Sequence, residues 1–138
     1  MKQTPVHQLS ALTLAYIGDA VYDAFVRTEL IAAMPDEPVH VLHMRATRIV
    51  RASAQAHTLI TIFEDLTERE RAVYKRGRNA HSATVPKNAS VTDYRMATGF
   101  EALLGWLYLS GEQARLETIL HLARHKGWKE LDSWQGQA

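Results

Sequence analysis

Residues 10–34 read SALTLAYIGDAVYDAFVRTELIAAM, and the interpretation of this stretch decides the fold. Ser10 is a strong helix N-cap, and the residues from Ala11 to Val26 are almost all apolar or small. Leu12, Leu14, Tyr16, Ile17, Val21, Tyr22, Phe25 and Val26 cover nearly the whole circumference of a helix. A helix apolar all round is expected inside a domain, not at its edge. Gly18 and Asp19 interrupt that wall side by side. An unpaired carboxylate there would cost several kcal/mol, so it must be neutral, well hydrogen-bonded or bound to a cation. Gly18 costs about 1 kcal/mol of helix stability relative to Ala. Two broken local rules at adjacent positions mark function or close packing.

A second stretch mirrors the first. In TDYRMATGFEALLGWLYLSG, residues 92–111, Met96, Phe100, Leu103, Leu104, Trp106, Leu107, Tyr108 and Leu109 surround a single acid, Glu101. Gly105 lies four residues on, hence on the same helical face. Two apolar helices, each with one acid near a glycine, predict a close crossing with both carboxylates facing one point. Two carboxylates with water and phosphate oxygens suit Mg²⁺, a hard cation that favours octahedral oxygen. The alternative is that each acid caps a loop or pairs with an arginine.

The remaining chain reads as further helices. Met34–Pro38 is a two-proline break, and Val39–Leu66 is predicted as one helix. Thr67 to Glu70 has the capping-box pattern and opens a helix to about Arg78. A loop is predicted from Gly77 to Ser90, Ser90 with Asp93 resembles the start of the next helix, and Gly111 and Gly127 end the last two helices. No β-branched alternation competes, so the class is all-α, with about six helices in one domain over residues 1–138: a core of about 10–126 and a tail of about 127–138.

Composition narrows the function. At 46% hydrophobic and 22% charged residues, the chain is an ordinary globular one. It has no cysteine, which excludes disulfides, thiol catalysis and cysteine-based zinc sites, and fits a reducing cytoplasmic setting. MKQTPVHQLS carries no apolar signal-peptide core, and Asp19, Asp23, Arg27 and Glu29 interrupt the most apolar run. The net charge of +1 hides an asymmetry: Pro38–Thr92 holds nine Lys/Arg against four Asp/Glu, whereas the two ends hold seven against eleven. A basic middle with acidic flanks suits a polyanionic partner. His40/His43 and His121/His125 have helical metal-pair spacing without an obvious third ligand, and are read as surface or packing residues. No nucleophile elbow, phosphate loop or dinucleotide fingerprint is present.

IGDAVYDAFVR and FEALLGWLYL resemble the two acidic helices of the ribonuclease III catalytic domain, and KRGRNAHSATVPKN with TDYRMATGFEALLG resembles its Mini-ribonuclease III branch. The resemblance covers about residues 10–125 and implies the ribonuclease III catalytic fold as a two-fold homodimer. It implies a Mg²⁺-dependent endoribonuclease, with Mn²⁺ as a possible substitute, that cuts double-stranded RNA and matures large-subunit ribosomal RNA precursors. Asp19 and Glu101 fall on the family's catalytic and metal-holding acids. Full-length relatives usually carry acids where Leu12, Ala15 and Thr98 stand here, and the Mini branch shares that thinning. A-form RNA is read by shape through its 2′-hydroxyls and phosphates, and short cationic and amide side chains on the loop suit this. Lys75, Arg76, Arg78, Asn79 and Lys87 are the candidate contacts, with Arg45, Arg48 and Arg51 weaker and Ser82 and Thr84 able to reach the sugar edge. Tyr16, Tyr22, Phe25, Trp106 and Tyr108 are the aromatic surface available to a dimer interface. Competing readings are an inactive ribonuclease III-like module that binds structured RNA, and a small helical DNA-binding protein, which would need its basic residues on a recognition helix.

Overall fold

The computed structural model describes residues 4–80 and 90–135. Among them it contains seven α-helices and no strand: α1 (Ala11–Ala33), α2 (Val39–Val50), α3 (Ala52–Ile62), α4 (Glu68–Asn79), α5 (Val91–Leu109), α6 (Gln113–Gly127) and the short α7 (Leu131–Gln135). The caps read from the sequence are in place. Ser10 Oγ accepts from the Thr13 amide at 3.1 Å, and Ser90 Oγ accepts from the Asp93 amide at 3.0 Å. The Thr67/Glu70 capping box is complete. Its glutamate does a second job, because Arg115 of α6 donates to both Glu70 oxygens at 2.8 Å. This pairing holds the Glu70 carboxyl below the ordinary range despite burial.

The centre of the fold is α5, which packs against α1, α3, α4 and α6. Phe100, Ala102, Leu103 and Leu104 are fully enclosed. Expected to be equally enclosed, α1 instead buries one face, formed by Leu14, Ala15, Gly18, Tyr22, Val26 and Leu30. Leu12 is exposed and Tyr16 is 83% exposed, because none of the described elements covers the outer face of α1's first half. Tyr22, an expected interface residue, is a core residue: Trp128 Nε1 donates to its hydroxyl at 2.9 Å, and burial pushes that hydroxyl's pKa up to about 12. Trp128, Leu131 and Trp134, just beyond α6, join the same core.

Two element boundaries differ from the sequence reading. The predicted helix over Val39–Leu66 breaks at Arg51, whose extended backbone (ψ 153°) ends α2 and starts α3. Across this bend Arg48 and Arg51 still line one pocket. Arg45 and Arg48 each have an acid beside them: Arg45 lies 3.8 Å from Glu37, and Arg48 lies 3.9 Å from Glu130. The second difference is at Gly77, read as the start of a loop and found inside α4. A Cβ there would lie 2.7 Å from Ala102 Cβ and 2.8 Å from Gly99 Cα, so this glycine serves helix packing rather than a turn.

Candidate active site

The site is built where α1 crosses α5. A Cβ added to Gly18 would lie 1.7 Å from the Glu101 carbonyl oxygen, and one added to Gly105 would lie 1.9 Å from the Leu14 carbonyl oxygen. Neither position tolerates a side chain, so the two backbones touch directly. The helices run antiparallel, since Gly18 meets Glu101 while Leu14 meets Gly105. The close crossing expected from the two glycines is therefore present. It brings the side chains of Asp19 and Glu101 within hydrogen-bonding contact.

The two carboxyl groups are not equivalent. Asp19 is exposed, against the expectation of a buried acid, because it stands where α1 turns its uncovered face to solvent. Glu101 is half-buried, and its pKa is pushed up to about 8. Burial is the largest cause, followed by the hydrogen bond and the charge of Asp19; a contact with Gln55 acts the other way. Without a cation Glu101 holds a proton near neutral pH, first because it is buried and then because Asp19 is close.

Divalent metal fits this donor set. Both groups are hard oxygen donors, and burial together with the neighbouring Asp19 disfavours the bare Glu101 carboxylate that a cation would stabilise. Among the described residues no cluster of three or more His, Asp or Glu side chains is arranged to hold a metal, so phosphate and water would complete the shell. Ala15 and Thr98, at positions acidic in full-length relatives, are buried, and Thr98 Oγ1 donates to the Tyr94 carbonyl at 3.0 Å. Asp23 is turned to Arg27 at 3.0 Å, away from a metal role.

The candidate RNA-contacting residues divide. Lys75, Arg76, Arg78 and Asn79 lie on the last turns of α4, not on a loop. Lys75, Arg76 and Asn79 are exposed, and the Arg78 guanidinium stacks on the Tyr74 ring at 5.7 Å. Through Gly77 this end of α4 meets α5 at Thr98–Ala102, the level of Glu101. Lys87, Ser82 and Thr84 lie outside the described residues. Gln55, a lone amide in the otherwise small or apolar start of α3, ASAQA, carries no sequence signal that would place it here. It is 3% exposed and reaches the Glu101 carboxylate.

The ribonuclease III domain family matches residues 12–112, which contain this entire crossing. The chain belongs to the ribonuclease III family. Its Mini-ribonuclease 3 branch supplies close relatives: the protein from Thermoanaerobacter sp. is 49% identical over 86% of this chain and 82% of its own length. The Mini-ribonuclease 3 of Clostridium tetani is 50% identical over 83% of this chain and 76% of its own. A crystal structure of a Fusobacterium nucleatum protein has the same fold, with a TM-score of 0.76 and 26% identity over 87% of this chain and 95% of that one. A chain of this family and fold is an endoribonuclease, a hydrolase of phosphodiester bonds in double-stranded RNA. No helix among the described residues is long and apolar enough to cross a membrane.

Proposed function

We propose that Asp19 and Glu101 together hold a Mg²⁺ ion, replaceable by Mn²⁺, at which double-stranded RNA is cut. The observation that carries this reading is the Gly18/Gly105 crossing, which brings two acids from different helices together; burial and then Asp19 push the Glu101 pKa up to about 8 there. When bound, the cation supplies a Lewis acid that activates water and offsets charge on the scissile phosphate. Glu101 gives up its proton as the cation arrives. Asp19, on the open side, leaves room for a phosphate to approach. The cationic end of α4, with Lys75, Arg76, Arg78 and Asn79, holds the RNA backbone; Lys87 is the fifth contact.

The working form is a two-fold homodimer with one Asp19/Glu101 site per subunit. Leu12 and Tyr16 on α1 and Tyr108 and Leu109 at the end of α5 are exposed apolar residues. The antiparallel crossing returns the end of α5 to the start of α1, so they lie on neighbouring parts of the surface and suit an interface between copies. Each site then faces one strand of a duplex. The natural substrate is precursor large-subunit ribosomal RNA, which the resemblance to the Mini branch supports, and the site of action is the cytoplasm.

Incubation with long double-stranded RNA tests the site. Cleavage should need Mg²⁺, and Asp19→Asn or Glu101→Gln should abolish it while the fold persists. A mixed dimer of wild-type and Asp19→Asn chains should nick one strand and spare the other. Near-normal turnover in either single variant at saturating Mg²⁺ would remove the assignment.

A further inference from the structure

Gln55 of α3 is a buried polar side chain that the mechanism above does not use. Its neighbours on the buried face of α3 are Ala56, Thr58, Leu59 and Ile62. Its Nε2 donates to the Val50 carbonyl at 2.7 Å, which fixes the orientation of the amide, since only the nitrogen can donate. The same nitrogen reaches Glu101 Oε2 at 3.5 Å. Its Oε1 is buried and accepts no hydrogen bond from the described residues. A glutamine that only capped the end of α2 would need the Val50 contact and nothing more. This one bridges the α2–α3 break to the acid of α5, and its buried amide oxygen is left without a partner among the described residues.

We propose that Gln55 is a positioning residue for Glu101. Anchored at Val50, its amide holds one carboxylate oxygen of Glu101, leaving the other for Asp19 and for a cation. Its Oε1 is available to accept from the hydration shell of that cation. The inference rests on the reading that Asp19 and Glu101 hold the cation. Hydrogen-bonded partners of metal ligands orient those ligands, and their loss typically costs ten- to a hundredfold in metal affinity or activity.

The test pairs a near-isosteric apolar variant, Gln55→Met, with nuclear magnetic resonance of the wild-type side-chain amide. In the wild type the Gln55 amide protons should exchange slowly with solvent and shift on titration with Mg²⁺; in Glu101→Gln the Mg²⁺ shift should be absent. By calorimetry Gln55→Met should bind Mg²⁺ about tenfold more weakly. Its kcat should fall at a fixed subsaturating Mg²⁺ concentration, while its KM for RNA and its fold are kept. Wild-type Mg²⁺ affinity in Gln55→Met, or a Gln55 amide unmoved by Mg²⁺, overturns the proposal. If Gln55→Met does not fold, the wild-type titration decides alone. If Glu101→Gln itself binds Mg²⁺ as the wild type does, the underlying site reading fails. Its loss of binding beside a normal Gln55→Met overturns the role of Gln55 only.

Discussion

In sequence α1 and α5 look like variants of one design: an apolar run with a glycine and an acid set into it. In the structure they differ. Enclosed by four neighbours, α5 holds its acid half-buried with a raised pKa. Lying at the edge, α1 keeps Asp19 in solvent and leaves Tyr16 uncovered. Apolar content therefore does not by itself report burial: on α5 it makes the core, and on the outer face of α1 it leaves Leu12 and Tyr16 exposed. The same difference separates the two acids chemically. One is held where it can store a proton, and the other stands where a phosphate can arrive.

The strongest way to break this comparison is at the crossing that joins the two helices. Gly105→Ala or Gly18→Ala places a methyl group inside a backbone carbonyl's radius, where no rotamer change relieves it. The expected cost is about 3 kcal/mol or more, at the upper end for overpacking. Chemical denaturation would register it as a lower midpoint, with cleavage lost in the same variants. An unchanged midpoint would mean that the helices separate easily and that the contact between the acids is incidental.

A smaller effect separates the acids themselves. The Glu101 pKa stands at about 8 in the folded chain, against 4.5 for an ordinary glutamate. Between those values the folded chain keeps a proton that the unfolded chain has released, so stability without metal falls as pH rises through about 8. Glu101→Gln removes that penalty: its melting temperature should exceed that of the wild type above pH 8, and the gap should close towards pH 4.5. Asp19→Asn acts indirectly, by removing the second and third causes of the shift. The Glu101 carboxyl, followed by carbon-13 resonance, should then titrate at a lower pH than in the wild type.

The smallest expected effect lies away from the crossing. Arg76→Ala with Arg78→Ala should leave both acids and the fold in place while weakening RNA binding. If both side chains contact phosphates, the slope of log affinity against log salt should fall by up to about two. An unchanged slope would show the end of α4 to be a solvated helix terminus.

The all-α class and the helix caps at Ser10, Thr67 and Ser90 were legible because each rests on local chemistry. So was the close crossing, because a glycine beside an acid in an apolar helix satisfies no local preference. The break at Arg51 was not legible: VRASA has neither proline nor glycine, and tertiary packing sets the bend. Gly77 misled for the opposite reason, since a glycine that permits helix contact looks in sequence like one that permits a turn. Gln55 was not legible because an isolated amide carries no periodic signal; only its burial and its reach to Glu101 distinguish it.

Calorimetry of Mg²⁺ binding at pH 7, in two buffers with different ionisation enthalpies, tests most directly that Asp19 and Glu101 form one cation site. With the Glu101 carboxyl at about 8, most folded molecules hold its proton at pH 7, and the cation must displace it. The wild type should release close to one proton per site, and Glu101→Gln and Asp19→Asn should lose the binding. Mg²⁺ binding without proton release, or with undiminished affinity in Glu101→Gln, would contradict the account.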